Sequence, residues 1–198
     1  MSYLTRDIKP YFEKSISPLV DLLKNLQVSP NAITLLGLVL VGVGSYFLYE
    51  KNTLLAFFFL FLGAVCDAID GTLARKLGNK SDFGAFLDSV VDRFSDAMPF
   101  IALALSSEDK LFSLTCMLAM VFSYSVSYTR ARAESLGYTM DVGLFERPER
   151  WMVLLLGILT SFVEVAVVVI LIGAFLTTLQ RIVYLIKKKD ESTPGGGR

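Results

Sequence analysis

Apolar residues fall in six long runs separated by polar stretches: Ala32–Tyr49, Leu54–Ala74, Phe83–Leu105, Leu111–Tyr128, Trp151–Phe162 and Val165–Ile186. A bilayer-crossing helix needs about 20 mostly apolar residues, so the pattern predicts an all-α integral membrane protein with six transmembrane helices. The fifth run is short, and Thr160–Glu164 leaves chain for only a tight turn before the sixth. Ahead of the runs, Ile8, Tyr11, Phe12, Ile16, Leu19, Leu23 and Leu26 recur at three- and four-residue steps, with Lys9, Lys14, Asp21 and Lys24 between them. That spacing predicts an amphipathic juxtamembrane segment over residues 1–29, lying in the interface and bent or broken near Pro10 and Pro18. It lacks the apolar core and small-residue cleavage site of a signal peptide. Residues 30–189 then form the six-helix domain, and the Gly-rich stretch 190–198 reads as a disordered tail.

Charge orients this pattern. Seventeen of the 19 Lys and Arg residues lie before the first run, between runs two and three or just inside them (Arg93), between runs four and five, or towards the C-terminal end from Arg181 on. Only Lys51 and Lys110 fall in the opposite loops. By the positive-inside rule both termini and the two longer loops are cytoplasmic, which agrees with six crossings of the cell membrane.

Composition narrows the chemistry. Hydrophobic residues make up 54% and charged residues 19%, and the mean hydropathy is +0.56. The formal charge is zero, so the chain lacks the net basic field of a nucleic-acid binder. Cys66 and Cys116 stand alone in apolar runs and read as small core residues. Histidine is absent. Acid–base or metal chemistry therefore falls to carboxylates.

Asp67, Asp70, Asp88 and Asp92 lie inside apolar runs, where an acid is expensive and marks a functional site. Asp67 and Asp70 are spaced i, i+3; Asp88 and Asp92 are spaced i, i+4, so each pair shares a helix face. The connection centres near Asn79, about equally far from both pairs. Two antiparallel helices would bring all four acids to one level, roughly 10–15 Å along the helices from the loop. Such a cluster calls for a neutralising cation, and hard oxygen donors suit Mg²⁺, Mn²⁺ or Ca²⁺. An ion-pair network with Arg75 and Arg93 would account for only two of the acids. Asp96, one turn further on, reads as a hydrogen-bonding group within the bundle. A divalent-cation transporter would want polar residues continuing outward, yet Phe57–Cys66 reads F-F-F-L-F-L-G-A-V-C.

Around the acids, Gly71, Ala74 and Gly84 remove bulk, and Arg75 stands one turn from Asp70 and Gly71. The string D-x2-D-G-x2-A-R-x8-G-x3-D-x3-D, from Asp67 to Asp92, resembles the signature of the CDP-alcohol phosphotransferase family at every position. The resemblance implies six transmembrane helices, a homodimer, and two divalent metals (two Mg²⁺, or Mn²⁺) held by the four aspartates. It implies transfer of a phosphatidyl-type group from a CDP-linked lipid to an alcohol, with release of CMP. Asp67 and Asp88 would bridge the metals, Asp70 and Asp92 would complete one site each, and Asp92 would be the general base. Gly71, Arg75 and Ser81, with Ala74 and Gly84, match the part that holds CDP. P-N-A-I-T (Pro30–Thr34) resembles the family's nucleotide-contacting entry to the first span, bringing in Asn31 and Thr34. Taken alone, Asn31 reads equally as a helix N-cap.

A second basic cluster, Arg130, Arg132, Arg147, Arg150 and Arg181, gathers on the cytoplasmic side and suits an acceptor bearing a phosphate. S-Y-T-R-A-R-A-E (Ser127–Glu134), F-E-R-P-E-R (Phe145–Arg150) and Q-R (Gln180–Arg181) are similar to phosphatidylinositol-phosphate and archaetidylinositol-phosphate synthases. That likeness implies inositol 1-phosphate as acceptor, held by Arg130, Arg150 and Arg181; glycerol 3-phosphate is the alternative. CDP-diacylglycerol and CDP-archaeol fit the apolar helix faces equally.

Overall fold

The computed structural model describes residues 3–78 and 81–192; Asn79, Lys80 and the tail beyond Ser192 lie outside the described residues, as do the side chains of Arg6, Ile8, Lys9 and Phe12. Among the described residues seven helices follow one another: α1 (Tyr3–Asn25), α2 (Pro30–Tyr49), α3 (Thr53–Leu77), α4 (Asp82–Ser106), α5 (Lys110–Ser135), α6 (Arg147–Leu159) and α7 (Val163–Ser192). The described residues contain no strand. Helices α2, α3, α5 and α7 are long and apolar enough to cross a membrane. The chain is an all-α membrane protein. Helix α4 has the length but carries Asp88, Asp92, Arg93 and Asp96, and α6 has only 13 residues. Helix α7 runs to Ser192, three residues past the boundary expected at 189.

Local sequence explains the boundaries. Ser29, not Asn31, caps α2: its side chain accepts from the Ala32 N–H, and Pro30 occupies the first turn where its missing N–H costs nothing. The N-cap alternative for Asn31 is thereby overturned. Gly78, at φ +67°, ends α3 in the left-handed conformation that a side chain would strain. Ser81 caps α4 by accepting from the Gly84 N–H. The turn expected at 160–164 is Thr160–Phe162, with Ser161 at φ +61°.

Helix α1 is continuous through Pro10 and Pro18, so of the bend or break expected there the break does not occur. Pro18 is exposed, so the carbonyl it leaves unpaired is at the surface, where water or headgroups can satisfy it. Its inward stripe is Ile16, Val20 and Leu23, packed against Ile33, Ile69 and Leu73. Tyr11, Leu19, Leu22 and Leu26 face outward. Lys76 fastens the docking from α3, donating to Asp21 Oδ1 at 2.6 Å and Ser17 Oγ at 2.8 Å.

Helix α2 packs on both α3 and α4. Three of the four acids that the α3–α4 hairpin was expected to bring to one level, Asp67, Asp70 and Asp88, do come together across α3 and α4. The α2–α3 approach is tight: a Cβ on Gly63 would stand 2.6 Å from Val41 Cγ2. Helix α5 packs on α4 and α7, and α6 packs on α7 and α3. The main core joins Leu60, Phe100, Cys116, Trp151, Leu154, Ile158 and Ile170.

Candidate active site

Asp67, Asp70 and Asp88 converge, each offering an oxygen within 4.8 Å of the others. Helix α2 supports this convergence from one side. Its Thr34 donates from Oγ1 to Asp70 Oδ2 at 2.5 Å, orienting that carboxylate. Asp70 is buried, whereas Asp67 and Asp88 are half-buried. A small cleft between α2, α3, α4 and α6 is lined in part by Thr34, Gly37, Asp67, Asp70, Ser95 and Arg147.

Asp92 stands one turn beyond Asp88 and joins the group through an arginine. Arg147 donates from Nη1 to Asp67 Oδ1 at 2.8 Å. The same nitrogen lies 2.9 Å from Asp92 Oδ1, as an ion pair without hydrogen-bond alignment. Arg93 Nη1 lies 3.3 Å from Asp92 Oδ2. Arg147, 80 positions from Asp67, is thus a counter-cation shared by Asp67 and Asp92, with Arg93 beside Asp92.

Asp96 is the hub of an adjoining buried network. It accepts from Arg147 Nε at 3.0 Å, Arg150 Nη2 at 2.9 Å and Trp151 Nε1 at 2.8 Å. Arg147 and Arg150 occupy the first turn of α6, where the exposed N–H groups already make a positive end. Two guanidinium groups persist there because Asp67, Asp92 and Asp96 surround them. Hydrogen bonding of Asp96 within the bundle agrees with the expectation; Trp151 as its partner carried no sequence signal.

The residues matched to nucleotide binding fall into two local groups. A Cβ on Gly84 would stand 3.0 Å from Ser81 Oγ and 3.2 Å from Asn31 Oδ1, so the starts of α2 and α4 meet there. Arg75 donates to Thr72 Oγ1 at 3.0 Å and passes over Gly71, where a Cβ would be 3.6 Å from Arg75 Nη1. Arg75 is exposed, while Gly71, Ala74 and Gly84 are partly covered.

The five arginines expected to form one anion site divide into groups. Arg147 and Arg150 belong to the Asp96 network. Arg181, 2% exposed, donates to the backbone carbonyls of Val142 and Val126 and to Glu146 Oε1 at 2.9 Å. Arg130 pairs with Glu134 at 2.9 Å, and its Nη1 lies 4.0 Å from the same Glu146 oxygen. Arg132 is exposed and reaches Ser135 Oγ at 3.5 Å. Glu146 was missed in the sequence, where it reads as one more charge in a polar loop.

A family model for CDP-alcohol phosphatidyltransferase matches residues 27–186. The chain belongs to that family. An archaetidylinositol phosphate synthase of Pyrococcus horikoshii is 37% identical over 93% of this chain and 97% of that one. A phosphatidylinositol phosphate synthase of Corynebacterium glutamicum is 35% identical over 92% and 91%. The Mycobacterium tuberculosis phosphatidylinositol phosphate synthase with CDP-DAG bound has a TM-score of 0.78 and 26% identity, covering 91% of this chain and 96% of that one. A second structure of that enzyme is in complex with manganese and citrate. This CDP-alcohol phosphatidyltransferase is thus an enzyme whose relatives include phosphatidylinositol phosphate synthases.

Proposed function

We propose that this enzyme transfers the phosphatidyl-type group of a CDP-linked lipid to inositol 1-phosphate and releases CMP. The observation that carries the reading is the convergence of Asp67, Asp70 and Asp88 between a small-residue face, at Gly71 and Gly84, and an arginine-rich side at the start of α6. The names of the Pyrococcus and Corynebacterium relatives support the acceptor, and the CDP-DAG seen in the Mycobacterium enzyme supports the donor.

The donor set consists of hard carboxylate oxygens, which fit Mg²⁺ or Mn²⁺. Asp67, Asp70, Asp88 and Asp92 would hold two such ions, which when bound neutralise the diphosphate and draw charge from its phosphorus. Thr34 fixes the Asp70 carboxylate from behind. Gly71, Ala74 and Gly84 let CDP approach the backbone, with Arg75, Asn31 and Ser81 at its edges. Arg130, Arg132, Arg150 and Arg181 serve the acceptor's phosphate, and Arg147 balances the acids beside them. Asp92 takes the proton of an inositol hydroxyl; that oxygen attacks the phosphorus bearing the lipid, and CMP carries away the bonding pair. Helices α2 to α7 cross the cell membrane as one catalytic domain over 30–189, with α1 in the interface and the site and both termini cytoplasmic. Two copies form a homodimer.

The decisive experiment is CMP release by purified enzyme given CDP-diacylglycerol or CDP-archaeol with inositol 1-phosphate, glycerol 3-phosphate, serine or inositol. Inositol 1-phosphate should be strongly preferred. Preference for glycerol 3-phosphate would overturn the acceptor and leave the reaction class standing. Asp92→Asn should cost about 10²–10⁴ in kcat, the range for loss of a general base; full activity would remove Asp92 from that role.

A further inference from the structure

Glu146 holds the point on which two arginines converge. Its Oε1 accepts from Arg181 Nη2 at 2.9 Å and lies 4.0 Å from Arg130 Nη1. The other contacts of Arg181 are to backbone carbonyls, Val142 O at 2.9 Å to Nε and Val126 O to Nη1. Backbone carbonyls are fixed by the fold; among the described contacts of Arg181, the Glu146 carboxylate is the one acceptor that a side-chain rotation could withdraw. The backbone closes over the pair, since a Cβ on Gly143 would stand 2.9 Å from Arg181 Nη2 and 3.0 Å from Glu146 Oε1. Arg181 and Glu146 are nearly enclosed, at 2% and 13% exposure, whereas Arg130 is 44% exposed and opens to the outside. A carboxylate so placed competes for the N–H groups that any incoming oxyanion would need.

We propose that Glu146 is a built-in competitor of the acceptor's phosphate and thereby determines acceptor specificity. The proposal rests on reading Arg130 and Arg181 as part of the acceptor-phosphate site. A phosphate, with more charge and three acceptor oxygens, displaces the carboxylate from Arg181 and bridges to Arg130. A neutral polyol offers only hydroxyls and cannot outcompete a carboxylate for a guanidinium. Rejection of unphosphorylated acceptors thus comes from the cost of moving Glu146 as well as from the arginines' attraction for phosphate.

The test is calorimetric titration of the full chain, in micelles with Mg²⁺ present, with inorganic phosphate and with inositol 1-phosphate. Glu146→Gln keeps an oxygen for Arg181 but removes the competing charge, and should tighten both ligands about tenfold. Glu146→Asp draws the carboxylate back by one methylene and should give a smaller gain in the same direction; it decides the matter if the Gln variant does not fold. Arg130→Gln separates the two ideas. If Arg130→Gln weakens inositol 1-phosphate while both Glu146 variants bind no tighter than wild type, Glu146 is only a clamp and the proposal is overturned, the acceptor site standing. If Arg130→Gln leaves inositol 1-phosphate affinity unchanged, the acceptor-site reading fails and takes the proposal with it.

Discussion

Thr34 Oγ1 stands 2.5 Å from Asp70 Oδ2, so a hydroxyl on the second helix fixes the carboxylate of a proposed metal ligand on the third. The same oxygen lies 3.1 Å from the Pro30 carbonyl, but it has one proton to give, and the carboxylate is the stronger acceptor. Groups that orient metal ligands are worth about 10–100-fold in metal affinity. Thr34→Val should weaken Mn²⁺ binding, followed by electron paramagnetic resonance, by that factor, and Thr34→Ser should restore it. Equal affinity in all three proteins would reduce Thr34 to a packing residue.

That carboxylate also depends on how closely α2 and α3 approach. A Cβ on Gly44 would meet Leu60 Cγ at 2.8 Å and the Leu60 backbone nitrogen at 2.9 Å, and a backbone cannot rotate away. Gly42, on the same helix, has only Met98 Sδ nearby, at 3.8 Å. Gly44→Ala should destabilise the protein by about 1–3 kcal/mol through overpacking. Gly42→Ala should be neutral or stabilising by up to about 1 kcal/mol, since alanine is the better helix former. Thermal unfolding in detergent compares them, and equal melting temperatures would contradict the close α2–α3 contact.

Much of this architecture was legible before any coordinates. Each of the six apolar runs became a helix, which pairs the backbone of a long apolar segment within the segment itself. The acids Asp67, Asp70 and Asp88 came together as their spacing implied. What the spacing could not express was the packing partner: α2 packs on both α3 and α4, and its Thr34 reaches Asp70. The arginines were harder still. Arg130, Arg147, Arg150 and Arg181 look equivalent as cations near helix ends, yet their long side chains reach different acids, Glu146 for two and Asp96 for the others. Those acids are distant in sequence from some of the cations they serve, and no periodicity links them. On α1 the buried stripe centres on Val20 instead of Leu19, a shift of one position that a short amphipathic pattern leaves open.

The α1 docking separates a strong contact from a weak one. Val20 is fully buried against Ile33, Ile69 and Leu73, and removing its two methyl groups costs about 2 kcal/mol on transfer alone. Asp21, beside it, is solvent-exposed, and its bond to Lys76 holds its carboxyl below the usual range. A lowered folded value means that its contribution is present at neutral pH and is lost as pH falls through that value. Being exposed, the pair is screened by salt. Val20→Ala should therefore lower the melting temperature at every pH, while Asp21→Asn should produce a smaller change confined to neutral pH and low salt. An Asp21→Asn effect that persists at acid pH would show that the lost charge is not its cause.

The network around Asp96 carries the largest expected stability effect. Its carboxylate, 5% exposed, receives Arg147, Arg150 and Trp151 together. Asp96→Asn keeps the shape and an oxygen for the indole N–H but removes the charge that balances two guanidinium groups at the positive end of α6. Breaking one partner of a buried ion pair costs about 3–5 kcal/mol, because the other charge stays buried without compensation. Arg150, with no other carboxylate within reach among the described ion pairs, bears most of that cost. Arg147 still has Asp67 and Asp92, so it should shift its pairing toward them and compete harder with a divalent ion for their oxygens. The expected signature is a double one: a large fall in melting temperature together with weaker Mn²⁺ binding, measured below the unfolding transition. A variant that melts early but binds Mn²⁺ as tightly as wild type would confine Asp96 to holding α6 in place and leave the proposed metal ligands energetically independent of it.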